Sequence, residues 1–500
     1  MFKKRMKVLP LIAVFALLLG AIAFAPASMA QDLPEITYSF PGGTPTDLQA
    51  VQDAINAIVA PQIGATVKIN PIDWGSYDQK MKLAFAAGET CDAVFTAQWI
   101  NNYNQNITNG NLMALDDLLP SVTPKLWASL APVVWDGTKV NGKIYQVVSE
   151  LMWAKNFGFY VRKDMAEKYK LDVNSIKTYA DLQPFLDQIK QNEPDMVPAY
   201  LEQQAFGEVN LVNIAGYDGS IDGNGGAFGV IKADDKDLKV LPAAFIPEYQ
   251  QSVELQRQFY NAGYFPHDLL SRDDTDAEMR AGKFAVQMTR VIKPGSESEE
   301  SGLYGGDWIG KGLATNYYVT TDSVTAGFGI CATSQHPNET LKFLELLHTN
   351  QDVYNLLAHG IEGKHWEFVD KANKVIGFPA GVTAANSPYN PAQGWMWGNQ
   401  FLEYYLSPAQ IGTWEATKKI NDASVGSTAL GFTLNPDPIK NELAALSAVH
   451  SQYGLPLETG LVDPATALPE YQQKLKDAGL DTVITEIQKQ LDAWKAGQAS

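Results

Sequence analysis

Only two cysteines occur in the 500 residues of this chain, and 38 lysines and arginines stand against 56 aspartates and glutamates. Nucleic acid and anionic membrane faces are gripped by clustered Lys and Arg, so this balance excludes both as partners. The six histidines have no metal-ligand spacing, and no G-x-S-x-G elbow, H-E-x-x-H pair or Walker loop occurs. No metal and no cofactor is therefore expected, and the chain reads as a non-enzyme. A secreted glycoside hydrolase is the alternative that spacing leaves open, because it needs only two facing carboxylates. Past residue 30 no segment has the apolar length of a membrane span, and no repeat of roughly 20 to 50 residues is present.

What is present begins with the leader. Lys3, Lys4, Arg5 and Lys7 precede an apolar run over residues 8–24, and Ser28, Met29 and Ala30 supply the small-residue exit. Residues 1–30 read as a cleaved secretory signal, leaving Gln31 at the mature N-terminus; a retained membrane anchor is the other reading. Removing four basic and no acidic residues takes Lys and Arg from 38 to 34 against 56 acids, and the net charge from −18 to −22. The length favours two or more domains, with 45% apolar and 19% charged residues as in a soluble globular protein.

The stretch over residues 80–103 organises the rest. Met81, Ala84 and Phe85 recur at helical spacing, Gly88 can close the helix in a left-handed conformation, and residues 93–96 are a short buried-strand run. Beyond that strand lie Gln98, Trp99, Asn101, Asn102 and Tyr103, at the carboxyl end where open α/β sheets bind ligands. Residues 36–40 and 66–70 are further strands and 47–60 a helix, with Leu48, Val51, Ile55, Ile58 and Val59 on one face. That order is a parallel α/β pattern. Residues 218–229 (DGSIDGNGGAFG) resemble a calcium loop, but position twelve is Gly229 rather than a carboxylate, so a glycine-rich hairpin is expected. Residues 294–306, rich in Gly, Ser and Glu, read as a solvated loop. Cys91 and Cys331 flank two strand candidates; a disulfide or two buried thiols are both open.

Successive blocks carry a family likeness: KMKLAFAAGETCDAVFT, GNLMALDDLLP, NGKIYQVV, GFYVRKDMAEKYKLD, AGKFAVQM and GFGICATSQHPNETLKFLELLHTN. Together they resemble the extracellular solute-binding proteins of ABC importers, in the large family-1 branch of sugar and oligosaccharide binders. GFTLNPDPIKNELAALSAVHSQYGLPLETG resembles the uncharacterised C-terminal region of a lipoprotein-like branch. The resemblance implies an α/β, two-lobe, type II periplasmic-binding-protein-like fold with an interlobe cleft and a helical C-terminal portion. Carried over, it places crossings near residues 148–150 and 320–325. One lobe then holds residues 32–148 plus 325–372, the other 149–324 plus 373–500. That arrangement makes the Cys91 and Cys331 strands neighbours. It further implies a monomer that closes over a small-molecule ligand by hinge motion and meets membrane permease subunits. No cysteine lies near the cleavage site, so a periplasmic or freely secreted protein is expected rather than a lipid-anchored one.

Sugars stack their apolar ring faces on aromatics and engage planar polar groups through their hydroxyls. The residues of that kind at predicted strand ends and crossings are Trp74, Trp99, Asn101, Tyr103, Glu150, Trp153, Arg290, Trp395, Trp397 and Asn399. Half of this set is expected to line the cleft, the others serving the core, where aromatics also dominate. Arg290 could instead form an interlobe ion pair, and Glu150 could brace the hinge. A peptide, the rival ligand, would rely on main-chain pairing and charged end anchors more than on stacked indoles.

Overall fold

The short apolar runs assemble into two principal sheets, of five and four strands, each backed by helices whose apolar faces repeat every three to four residues. The computed structural model describes residues 33–153, 156–201, 214–271, 276–314, 317–383 and 386–498; the expected signal over 1–30 lies outside them. The main elements are β1 (Glu35–Pro41), α1 (Leu48–Ile63), β2 (Thr66–Ile72), α2 (Trp74–Ala87), β3 (Ala93–Thr96), β4 (Gln146–Val148), β5 (Asn156–Arg162) and β6 (Val197–Leu201). They continue with α3 (Pro247–Ala262), β7 (Phe284–Ile292), α4 (Ser296–Tyr304), β8 (Trp308–Gly312), β9 (Gly327–Ile330), α5 (Pro337–Thr349), α6 (Thr413–Ala423), α7 (Pro464–Asp477) and α8 (Leu480–Gln498). Among the described residues no helix is long and apolar enough to cross a membrane.

The first sheet has the order β2-β1-β3-β9-β4. β1 runs parallel to both β2 and β3, while β9 is antiparallel to β3 and β4. Val51, Ile55, Val59 and Ile63 bury one face of α1, and Gly88, at φ +66°, ends α2 in the left-handed conformation expected of it. Tyr38 stacks on Phe328 with ring centroids 4.3 Å apart, joining β1 to the antiparallel β9 across the core. Ile330 pairs with Ala93 in that ladder, which brings the flanking Cys91 and Cys331 together as a disulfide across a sequence separation of 240.

The second sheet has the order β8-β5-β7-β6, with its own core around Phe159, Leu186, Phe259 and Met288. A third core joins the segments 217–253 and 429–491. α3 serves two of them, giving Tyr249 and Val253 to the third core and Phe259 to the second. The expected glycine-rich hairpin is there: Ile231 pairs with Asp218. Asp222 satisfies its two carboxylate oxygens with the backbone N–H groups of Asn224, Gly226, Phe228 and Gly229.

Two expectations are corrected. Tyr389, Met396 and Trp397 pack into the first core, so that lobe continues well past residue 372. Residues 296–304 form helix α4 rather than a loop, with Glu297 and Glu299 in its first turn, where the helix dipole favours acids. Their Ser and Glu content mimicked a solvated segment.

Replacing Cys91 and Cys331 by Ala is expected to lower unfolding free energy by about 2 to 5 kcal/mol in urea titrations. Identical midpoints for the double variant and the parent would count against the bond.

Candidate functional site

Three chain segments cross between the lobes, and they meet at Ser149 and Glu150, just past β4. Ser149 donates its N–H to Ala326 O (3.0 Å) on the second crossing and its hydroxyl to Met396 O (2.6 Å) at the start of the third. Glu150 donates to Gly398 O (2.7 Å) and accepts from Gln400 N–H (2.9 Å), so Glu150 and Asn399 form a parallel bridge. The third crossing passes so close to the end of α5 that a Cβ on Gly398, at φ +45°, would lie 2.3 Å from Leu347 O. Only glycine fits there. Crossings near 148–150 and 320–325 were expected from the family likeness; this third one was not legible.

Beside this junction a cavity of about 600 Å³ opens between the lobes, within the range of small-molecule sites. Its lining takes Trp395 from the first lobe, Leu151 and Met152 just past the junction, and Phe157, Tyr160 and residues 289–291 from the second lobe. In a regular strand successive side chains point to opposite faces. Here Thr289, Arg290 and Val291 all line the cavity because β7 is bulged between Met288 and Arg290 and Thr289 sits at φ +60°. A positive φ at a β-branched residue is costly and clusters at ligand sites. Trp414, on α6, closes the rim; it was missed because its helix carries no strand-end signal.

The predicted residues divide. Trp74, at the start of α2, is 39% exposed and Trp99, in the loop after β3, is 49% exposed. They lie near-parallel with centroids 6.1 Å apart, and Trp395 joins them at 6.5 Å and 6.1 Å, with Phe95 beneath. The Trp99 indole N–H donates to Thr325 O (2.8 Å), tying this wall to the second crossing. Arg290 lines the cavity and pairs with Glu300 (3.0 Å) of the same lobe.

The remaining six lie outside the cavity lining. Trp397 is fully buried, edge-on against Phe40 at 5.4 Å. Asn101, also buried, donates to Phe95 O (2.8 Å) and shapes the loop at φ +43°. Tyr103 is sealed inside and donates to Thr138 O (2.7 Å). Trp153 donates to Ser149 O (3.2 Å) behind the crossing, and Asn399 caps a short turn by accepting from Phe401 N–H. Glu150 is 7% exposed at the junction, and burial raises its carboxyl to about 7, opposed by Lys418 and reinforced by Asp422. Its main chain, by the bonds to Gly398 and Gln400, holds the first crossing to the third. Among the described residues no cluster of His, Cys, Asp and Glu could hold a metal ion.

The pattern of a bacterial extracellular solute-binding protein matches residues 53–358, and that of a domain of unknown function (DUF3502) matches 428–496. The chain belongs to the bacterial extracellular solute-binding proteins. A carbohydrate ABC transporter substrate-binding protein of Streptococcus pneumoniae serotype 4 is 30% identical over 464 residues, 92% of this chain and 91% of the relative. The crystal structure of the N-glycan transport solute binding protein NgtS from Streptococcus pneumoniae, 28% identical, superposes with a TM-score of 0.81 over 92% of this chain and 98% of that one. NgtS in complex with Man5GlcNAc superposes over the same shares with a TM-score of 0.66. The two-lobe type II fold is thus that of its relatives.

Glu150 makes stability depend on pH. The folded state holds its proton to about pH 7, against an ordinary value of 4.5. Its stabilising contribution is therefore complete below pH 4.5 and lost as pH rises through 7. Glu150→Gln, which imitates the protonated acid, is expected to exceed the parent by up to about 3 kcal/mol at pH 8 and to match it at pH 4. Urea unfolding at both values checks this; a variant no more stable than the parent at pH 8 refutes it.

Proposed function

We propose that this chain is the extracellular substrate-binding component of an ABC importer, which captures an oligosaccharide between its two lobes by hinge closure and hands it to membrane permease subunits. The observation that carries the reading is the cavity of about 600 Å³ between the lobes, with Trp395 on one wall and polar side chains of the bulged strand on the other. Indole faces supply the apolar platform that a pyranose ring stacks on, and the facing wall supplies partners for its hydroxyls. Trp74 and Trp99 continue the platform beyond the cavity, which suits a ligand of several rings.

The names and bound glycans of the relatives support the same ligand class. One relative, NgtS, superposes with 0.81 in one structure and 0.66 in its glycan complex. Its shape therefore differs between the two, as lobe closure requires. The protein acts outside the membrane after export, as a monomer, and without catalysis; a peptide ligand is disfavoured by the indole platform.

A thermal-shift screen of mono- and oligosaccharides against short peptides tests this. An oligosaccharide is expected to raise the melting temperature without being cleaved. Trp395→Ala and Trp99→Ala are expected to weaken that ligand by about tenfold or more. Trp397→Ala is expected instead to cost about 3 to 5 kcal/mol of stability. Sugar turnover would make it a hydrolase, stabilisation by peptides alone would change the ligand class, and full affinity in both platform variants would move the site.

A further inference from the structure

Among the described residues the charged groups lining the cavity are two cations, Arg290 and Lys293, and two acids, Glu299 and Glu300. They are matched pairwise. Arg290 bonds Glu300 at 3.0 Å and Lys293 bonds Glu299 at 2.9 Å, the acids one position apart on α4 and the cations flanking the end of β7. The remaining polar lining, Tyr160, Thr289, Ser296, Gln400, Gln410, Thr413 and Thr417, is uncharged.

We propose that these two ion pairs make the cleft selective for neutral, hydroxyl-rich glycans and turn away glycans that carry carboxylates or sulfates. The proposal rests on the oligosaccharide reading above and adds the charge class of the ligand. An acidic sugar needs a cation to replace the water it loses on entering the cleft. Both cations there are already engaged. Taking Arg290 from Glu300 would leave a carboxylate that is only 5% exposed without its counter-charge, a strongly unfavourable state. The ligand's own charge would also face two acids at short range in a site of low dielectric.

Fold stability alone gives no reason for the pair. Glu300 Oε2 is buried and meets no hydrogen-bond partner among the described residues, and a buried ion pair left partly unsatisfied is a weak stabiliser against apolar replacement. What the pair supplies at this wall is charge balance. The bulge at Thr289 contributes by placing Arg290 on the cavity side in register with α4. A neutral ligand leaves both pairs intact and meets hydroxyl and amide groups that can donate or accept.

Isothermal titration calorimetry on the mature full-length chain tests this with two panels of equal chain length. The neutral panel is manno-, malto- and fructo-oligosaccharides with Man5GlcNAc; the acidic one is oligomannuronate, oligogalacturonate and sialyllactose. The parent is expected to bind its best neutral glycan at least about 100-fold more tightly than any acidic one. Glu300→Gln removes the buried counter-charge that holds Arg290 and is expected to narrow that ratio by about tenfold or more. Glu299→Gln, at the more exposed pair, is expected to narrow it to a smaller degree; it keeps the test decisive should the buried substitution impair folding. An acidic glycan as the parent's best ligand, or a ratio unchanged in the folded variants, overturns the proposal while leaving the oligosaccharide reading intact. A parent that binds neither panel overturns both.

Discussion

The structure depends on the meeting of three crossing segments at Ser149 and Glu150. Each residue uses its main chain to hold a different neighbour: Ser149 the second crossing at Ala326, and Glu150 the third at Gly398 and Gln400. Buried backbone groups left unpaired would be costly, so two lobes built on separate sheets can share a junction only if its hydrogen bonds are made within it. That requirement explains why Gly398 tolerates no side chain and why Trp153 and Asn421 tie the outgoing strand from behind. A joint pinned by backbone pairing and flanked by independent cores has the build of a hinge between rigid bodies.

The candidate site follows from where that joint lies. The indole wall is assembled from three distant parts of the sequence, the first turn of α2, the loop after β3, and the turn leading into the third crossing. Two of its members keep 39% and 49% of their surface in contact with solvent. Exposed aromatic area of this kind marks a binding surface more often than it marks idle surface. Because Trp99 donates to Thr325 O, one hydrogen bond ties the indole wall to the second crossing.

Much of the fold was legible because its signals are local. Apolar strand runs, the helical periodicity of α1 and the left-handed Gly88 are each set by neighbours a few residues away. The neighbouring strands that join Cys91 to Cys331 followed from the family likeness. The indole wall was legible in part. Strand-end position found Trp74 and Trp99, and the aromatic cluster found Trp395, yet the same reasoning chose Trp397. These last two are separated by one residue within a single short turn, and the turn sends one to the cavity and the other onto Phe40. Such a fate is decided by tertiary packing, which composition does not carry. Helix α4 was missed for the converse reason: its glutamates are favourable at a helix start only once the helix exists.

The C-terminal helices bear on the joint as well. The segment 425–432 pairs Tyr317 with Val425 and Tyr318 with Gly426, and Gly431 N–H donates to Thr320 Oγ1 at 2.8 Å, all on the second crossing. Within it Ala429 and Phe432 belong to the third core, whereas Leu430 packs against the first. The region of unknown function is therefore anchored in one lobe and reaches the other through Leu430, next to Gly137, where an added Cβ would lie 3.2 Å from the Leu430 methyl, and through Gly431, beside the carbonyl of Asp136. A rotation of the lobes about Ser149 and Glu150 must carry the segment with its own core and slide Leu430 over the opposite helix. Apolar contacts lack direction and fall off with area, so such a contact restrains the rotation gradually while the backbone pairs at the junction stay fixed.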